Sequence, residues 1–165
     1  MPPDLDELLA ALSQYRAARS AFLSVLGCDQ SNRDPFAEFA ERLAHAVLGG
    51  EMATSRVQKD WDFTTDAGQQ VQVRYLANPP DRWVNEHYVD FRAPCDLYAL
   101  VIFEGFDAKA LLVFTRATIA AVCSALGKRH PNQEQGLALT RRNYWQLLAD
   151  SDRFAQLGVQ VMTFD

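Results

Sequence analysis

Three things are scarce in this sequence of 165 residues: cysteine, histidine and any long apolar run. Cys28, Cys95 and Cys123 make an odd set with no Cys-x-x-Cys spacing, which argues against a disulfide framework and for reduced thiols, at least two of them buried. His45, His87 and His130 stand far apart and share no ligand spacing with the cysteines, so a zinc site is not expected. No stretch is long and apolar enough to span a bilayer, and the first residues, MPPDLDELLAAL, are acidic and amphipathic rather than basic and apolar. The expectation is a cytoplasmic protein without a membrane partner. Positive charge is also short. The formal net charge is −5, which lowers the prospect of a general nucleic-acid coat but leaves room for a local basic groove. Internal repeats and low-complexity tracts are absent.

What remains is a globular composition, 48% apolar and 22% charged, enough to build one core. Residues 1–30 read as an amphipathic helix and linker, and 31–165 as a single α/β domain. In the first, Leu5, Leu8, Leu9, Leu12, Tyr15, Phe22 and Leu26 recur at helical spacing between Asp4 and Leu26. This stripe has to pack on the domain or on a partner chain, and a homodimer through the N-terminal helix is one expectation. A second helix starts at Asp34-Pro35, with Asp34 as cap and proline at the first turn, and stops at Gly49-Gly50. Phe36, Phe39, Ala40, Leu43 and Val47 form its buried stripe. Glu38, Glu41, Arg42 and His45 are placed on its exposed side.

Strands follow. One or two short ones are expected between Glu51 and Phe63, ending in Trp61-Asp62-Phe63. After a turn at Asp66-Gly68, residues Gln70–Leu76 alternate: Val71, Val73 and Tyr75 face one way, Gln70, Gln72 and Arg74 the other. The pair reads as a hairpin. Leu97–Phe103 is continuously apolar, as for a strand buried on both faces. A strand at Ala110–Phe114, a helix from Thr115 or Arg116 to Leu126, a strand at Leu137–Leu139, a helix at Arg141–Ala149 capped by Thr140 and a last strand at Val159–Phe164 complete the order. A mixed central sheet flanked by helices fits it.

The hairpin places Asp62 beside Gln72 and Arg74 above one sheet face. Converging oxygens suit Mg²⁺ (or Mn²⁺), which takes one or two carboxylates and completes its octahedron with water and phosphate. Asp62 supplies a carboxylate, Gln72 an amide oxygen, and the helix glutamate a hold on metal-bound water; a nearby cation stabilises charge on an attacked phosphate. The plainer reading is an Asp62–Arg74 ion pair, a solvated helix face at Glu38 and Glu41, and an ordinary polar strand face.

The stretch Asp34–Leu76, with AERLAHAVLGG on the helix, DWDFTTDAGQQVQVRYL on the hairpin and Gln72-Val73-Arg74 as its triplet, resembles the core of the PD-(D/E)XK nuclease superfamily. That resemblance implies a restriction-endonuclease-like fold with an added N-terminal helix. It implies a hydrolase acting on DNA phosphodiesters. Glu41 (or Glu38) is then the helix acid, Asp62 the metal-binding aspartate, with Asp60 a weaker substitute, Gln72 the acid-or-glutamine position and Arg74 the lysine position. Asp62, Gln72 and the Val73 carbonyl hold the ion. Two departures stand out. Arginine stays protonated and is a poor base, although it clamps phosphate well. Gln72 removes one negative charge. The alternative is therefore a catalytically inactive nuclease-fold module that binds nucleic acid or protein. Arg82, Trp83, Asn85 and His87 suit base stacking and phosphate contact, against a plainer reading in which Trp83 plugs the core.

Overall fold

The structure is a computed structural model and describes residues 4–54 and 60–164. Two helices come first, α1 (Leu5–Val25) and α2 (Pro35–Leu48). Then come β1 (Glu51–Met52), β2 (Phe63–Thr64), β3 (Gln70–Asn78), β4 (His87–Asp90), β5 (Leu97–Glu104) and β6 (Asp107–Thr115). A 3-10 turn at Arg116–Thr118 leads into α3 (Ile119–Ala125), followed by β7 (Gly136–Leu139), α4 (Arg141–Ala149), α5 (Ser151–Gln156) and β8 (Gln160–Thr163). The class is mixed α/β, as the residue pattern predicts.

The main sheet has the order β1-β2-β3-β5-β6-β8. Only β3 and β5 run parallel; the other neighbours are antiparallel. Side chains of β5 alternate between two separate cores. Leu97, Ala99, Val101 and Phe103 join Val71, Val73, Leu111 and Val113 against Ala40 and Ala44 of α2. Tyr98, Leu100 and Ile102 join Leu112 and Phe114 against residues of α3, α4 and α5. Both faces are covered, which is why the run reads as apolar without alternation.

A parallel pair needs a crossover. Residues 79–96 provide it, and they contain no helix. Instead β4 lies in this segment and pairs antiparallel with β7, forming a two-stranded ribbon whose Val89, Leu137 and Leu139 close the second core. The β5–β6 hairpin turns at Gly105-Phe106, both at positive φ, the type I′ pattern. Phe106 is 77% exposed and stacks on Phe36 at 5.5 Å.

Local signals hold well at most element ends. Asp4 forms a full capping box with Glu7, Asp34 accepts from the Phe36 amide with Pro35 in the first turn, and Thr140 caps α4. Gly50 is obligatory for packing as well as for its φ of +103°: a Cβ there would lie 2.0 Å from the Thr64 carbonyl oxygen.

Several expectations need correction. Glu38 and Glu41 are not on an exposed helix face; they are 1% and 6% exposed. The reason is tertiary. α2 has the sheet on one side, and α1 with the loop after it on the other, so both sides of α2 are covered. Val47, expected in the buried stripe, is 40% exposed, and Ala44 takes the inner position instead. The strand expected to end in Trp61-Asp62-Phe63 begins only at Phe63, and the Ser55–Lys59 part of that region lies outside the described residues. The helix after β6 starts as a 3-10 turn, and α5 carries no periodic signal of its own over six residues. All three cysteines are buried.

Candidate functional site

β3 pairs with β5 along one edge over its whole length, whereas β2 covers the other edge only at Gln70 and Val71. The Val73 amide and carbonyl face the uncovered edge. Open strand edges are normally blunted by charged groups, and here two side chains do so. The Asp62 carboxylate accepts from the Val73 amide through Oδ2 at 2.7 Å. The Arg74 guanidinium donates back to the Val73 carbonyl at 2.7 Å. Gln72 completes the group, its Nε2 donating to the same Asp62 Oδ2 at 2.8 Å. Arg74 Nη1 lies 3.8 Å from that oxygen. The hairpin thus brings Asp62, Gln72 and Arg74 together, as the alternation in β3 predicts.

Glu41 reaches this group only through another residue. Both Glu41 oxygens are taken by Arg33, one at 3.0 Å from Nη1 and the other bonded to Nη2. Arg33 also lies 3.7 Å from Glu38. Glu38 accepts from the Ser31 hydroxyl at 2.6 Å and from Arg42 at 2.9 Å. The Asp62 carboxyl feels all of this. Burial, above all, pushes it above its usual range; the Val73 hydrogen bond opposes that shift, Glu41 adds to it, and the Arg74 and Arg33 charges pull it down. Three acids and three arginines therefore interleave between α2 and the edge of β3.

The donor set fits a divalent cation poorly. Among the described residues, no group of three or more His, Cys, Asp and Glu side chains is spaced to hold one. The Gln72 amide turns its nitrogen, not its oxygen, to Asp62, and the Val73 carbonyl already accepts from Arg74. Glu41 is neutralised by Arg33. An ion preferring six oxygens with net negative charge meets a balanced set of ion pairs.

No family model matches the chain, and no curated protein matches it.

A further polar pair sits on the same face. Tyr98 is the β3-facing neighbour of Gln72 in register. Its hydroxyl lies 2.7 Å from His87 Nε2. His87, half-buried, is held down to about 4, first by burial and then by the Arg74 charge, so it is neutral at pH 7. Burial raises the Tyr98 phenol. His87 thus stands close enough to Arg74 to sense it.

The rest of the Arg82–His87 group lies elsewhere. Trp83 donates to Glu104 at 2.8 Å and stacks on Tyr144 at 5.2 Å, packed against the second core. Asn85 bonds the Asn78 side chain and the Ala77 carbonyl. Both belong to the far ends of β3 and β5, roughly 20 Å along the strand from Gln72. Arg82 is exposed there. Near them, Arg141 reaches the Asp81 carbonyl at 2.8 Å and lies 4.8 Å over the Trp145 ring, which is 55% exposed.

Sequence reading passes over Arg33 and Tyr98, whereas the Glu38–Arg42 pair follows the i,i+4 spacing on α2. Arg33 precedes the helix and has no periodic relation to Glu41. Tyr98 is hidden inside an apolar run, where its hydroxyl is the one side-chain polar group before Glu104.

Proposed function

We propose that this protein is a non-catalytic nucleic-acid-binding module built on a nuclease-like arrangement of helix, hairpin and parallel strand. The observation that carries this reading is the matching of Glu38, Glu41 and Asp62 by Arg42, Arg33 and Arg74. In a hydrolytic site of this kind the acids hold an ion, and the ion activates water. Here arginines stand among the acids. Arg74, half-exposed at the open edge of β3, offers guanidinium hydrogens to a phosphate oxygen. The exposed Trp145 under Arg141, with exposed Arg142 beside them in sequence and exposed Arg82 next to the Asp81 carbonyl that Arg141 reaches, provides the kind of stacking surface that single strands use.

The test pairs two measurements. Plasmid and single-stranded DNA are incubated with Mg²⁺ and with Mn²⁺, using Asp62→Ala as control, and oligonucleotide binding is followed by fluorescence anisotropy. The expected result is no cleavage above control, with binding that weakens at least several-fold in Arg74→Glu and in Trp145→Ala. Metal-dependent cleavage lost in Asp62→Ala would overturn the non-catalytic reading in favour of a hydrolase using the Asp62 oxygen that Gln72 and Val73 leave open. Absence of both cleavage and oligonucleotide binding would remove nucleic acid from the account.

A further inference from the structure

The turn between β5 and β6 runs against local preference. Gly105 and Phe106 fill its two central positions, both at positive φ, and at the second of them glycine is the ordinary choice. A phenylalanine stands there instead, with φ of +71° and 77% of its surface in water. One face of its ring lies on Phe36 at 5.5 Å, with 21° between the planes. The opposite face has no ring contact among the described residues. A bulky residue held in that conformation, with little burial to offset the cost, calls for a functional reason.

The turn adjoins the surface that carries Trp145. β3 and β5 are the parallel pair, so their carboxyl ends coincide at Asn78 and Glu104, and open α/β sheets place ligands outside such ends. The Gly105 amide donates to the Asn78 carbonyl at 2.9 Å, and a Cβ on Gly105 would lie 2.9 Å from the Pro80 ring. The Pro80 carbonyl in turn accepts from Arg141 at 3.3 Å, and Arg141 lies over Trp145. Exposed Pro80 thus links the two exposed aromatic side chains. They flank the strand ends from opposite sides: Phe106 lies on Phe36 of α2, which covers the first core, and Trp145 belongs to α4, which covers the second. Charge sets the sign of what fits between them. Arg82, Arg141 and Arg142 stand against Asp81. Of the other acids there, Asp107 is paired with Lys109 at 3.5 Å and Glu104 accepts from Trp83.

We propose that Phe106 is a second base-stacking platform, and that a single strand of nucleic acid crosses the carboxyl ends of β3 and β5 from Trp145 to Phe106, its phosphates held by Arg82 and Arg142. This rests on the nucleic-acid-binding reading above and gives the strand a path. The two rings accept any base, because every base has a π-face, and guanidinium hydrogens suit phosphate oxygens. A duplex cannot use the rings, since its bases are already stacked on one another.

Fluorescence anisotropy with a labelled oligothymidylate of about twelve nucleotides, on the full chain, reads the outcome. The wild type is expected to bind one oligonucleotide per chain. Phe106→Asn should weaken binding roughly fivefold or more, and Phe106→Tyr should stay close to wild type. Asparagine tolerates positive φ, so the urea transition should persist in that variant and the loss is one of contact, not of folding. The same oligonucleotide paired with its complement is expected to bind roughly tenfold more weakly. Binding that Trp145→Ala weakens and Phe106→Asn leaves untouched overturns the path while the broader reading stands. Two oligonucleotides per chain would put the rings in separate sites and overturn it as well, as would a duplex that binds equally tightly or a Phe106→Tyr as weak as Phe106→Asn. A wild type that binds no oligonucleotide removes both the path and the reading beneath it.

Discussion

The Arg33 guanidinium grips both carboxylate oxygens of Glu41, a residue on the next helix that is only 6% exposed. A buried carboxylate deprived of its partner is far more costly than the same carboxylate left in water. Arg33→Met is therefore expected to destabilise the domain by about 1–3 kcal/mol, less than a fully buried pair because the arginine side chain is 42% exposed. Arg33→Met combined with Glu41→Gln should recover part of that loss. Urea midpoints of the two singles and the double measure the coupling; simple additivity would mean that the pair contributes nothing.

Asp62 carries a pH signature of its own. Its carboxyl is raised in the folded protein, so the native state holds that proton more tightly than the unfolded chain does. Stability from this group is thus present below the unfolded value of 3.8 and declines as pH rises through the raised folded value. Asp62→Asn removes the titration. The gap between variant and wild type should shift in favour of the variant from pH 4 upward, measured by urea unfolding at a series of pH values. A gap that does not change with pH would place Asp62 in solvent.

His87 works in the opposite direction. It falls from 6.5 to about 4 on folding, so the unfolded chain binds the proton first. The contribution is fully present above pH 6.5 and is lost as pH falls from there toward 4, amounting to about 1–3 kcal/mol after allowance for its partial exposure. His87→Gln should flatten this acid-side loss. Histidine resonances titrated by NMR provide the direct check, with one ring expected near pH 4.

Phe106 sits at the tip of the β5–β6 hairpin with φ of +71°, a conformation that costs an L-residue about 1 kcal/mol. Most of its ring is in water, and its one ring contact among the described residues is Phe36. Phe106→Asn, which tolerates that conformation, should raise the urea midpoint by the equivalent of about 0.5–1 kcal/mol. A fall instead would show that the stack on Phe36 outweighs the backbone.

The pattern along the chain reveals much of this architecture and little of the partnering. The caps at Asp34 and Thr140, the alternation through Val71, Gln72, Val73 and Arg74, and the apolar run of β5 are local signals, and the elements they imply are present. Asp62, Gln72 and Arg74 converge for the same reason: a short hairpin puts them there. Glu38 and Glu41 defeat local reading because their burial is decided by α1 and by the loop that carries Arg33. Arg82 and His87 are close in sequence, yet the irregular segment between them runs from the Asn78 end of β3 back to Tyr98, beside Gln72. Arg33–Glu41 and Tyr98–His87 are contacts between elements, and no spacing rule encodes them.

The ribbon that replaces a crossover helix has a consequence for how the chain is made. β4 finds its hydrogen-bonding mate roughly 50 residues downstream, in β7. As the polypeptide leaves the ribosome, the sheet from β3 to β6 can assemble before β7 is made, and β4 then has its contacts with β5, such as His87 on Tyr98, but not the ladder that its backbone shares with β7. The last third of the chain therefore acts as a clasp on the ribbon: it supplies the backbone mate of β4 after the His87–Tyr98 pair has both its members.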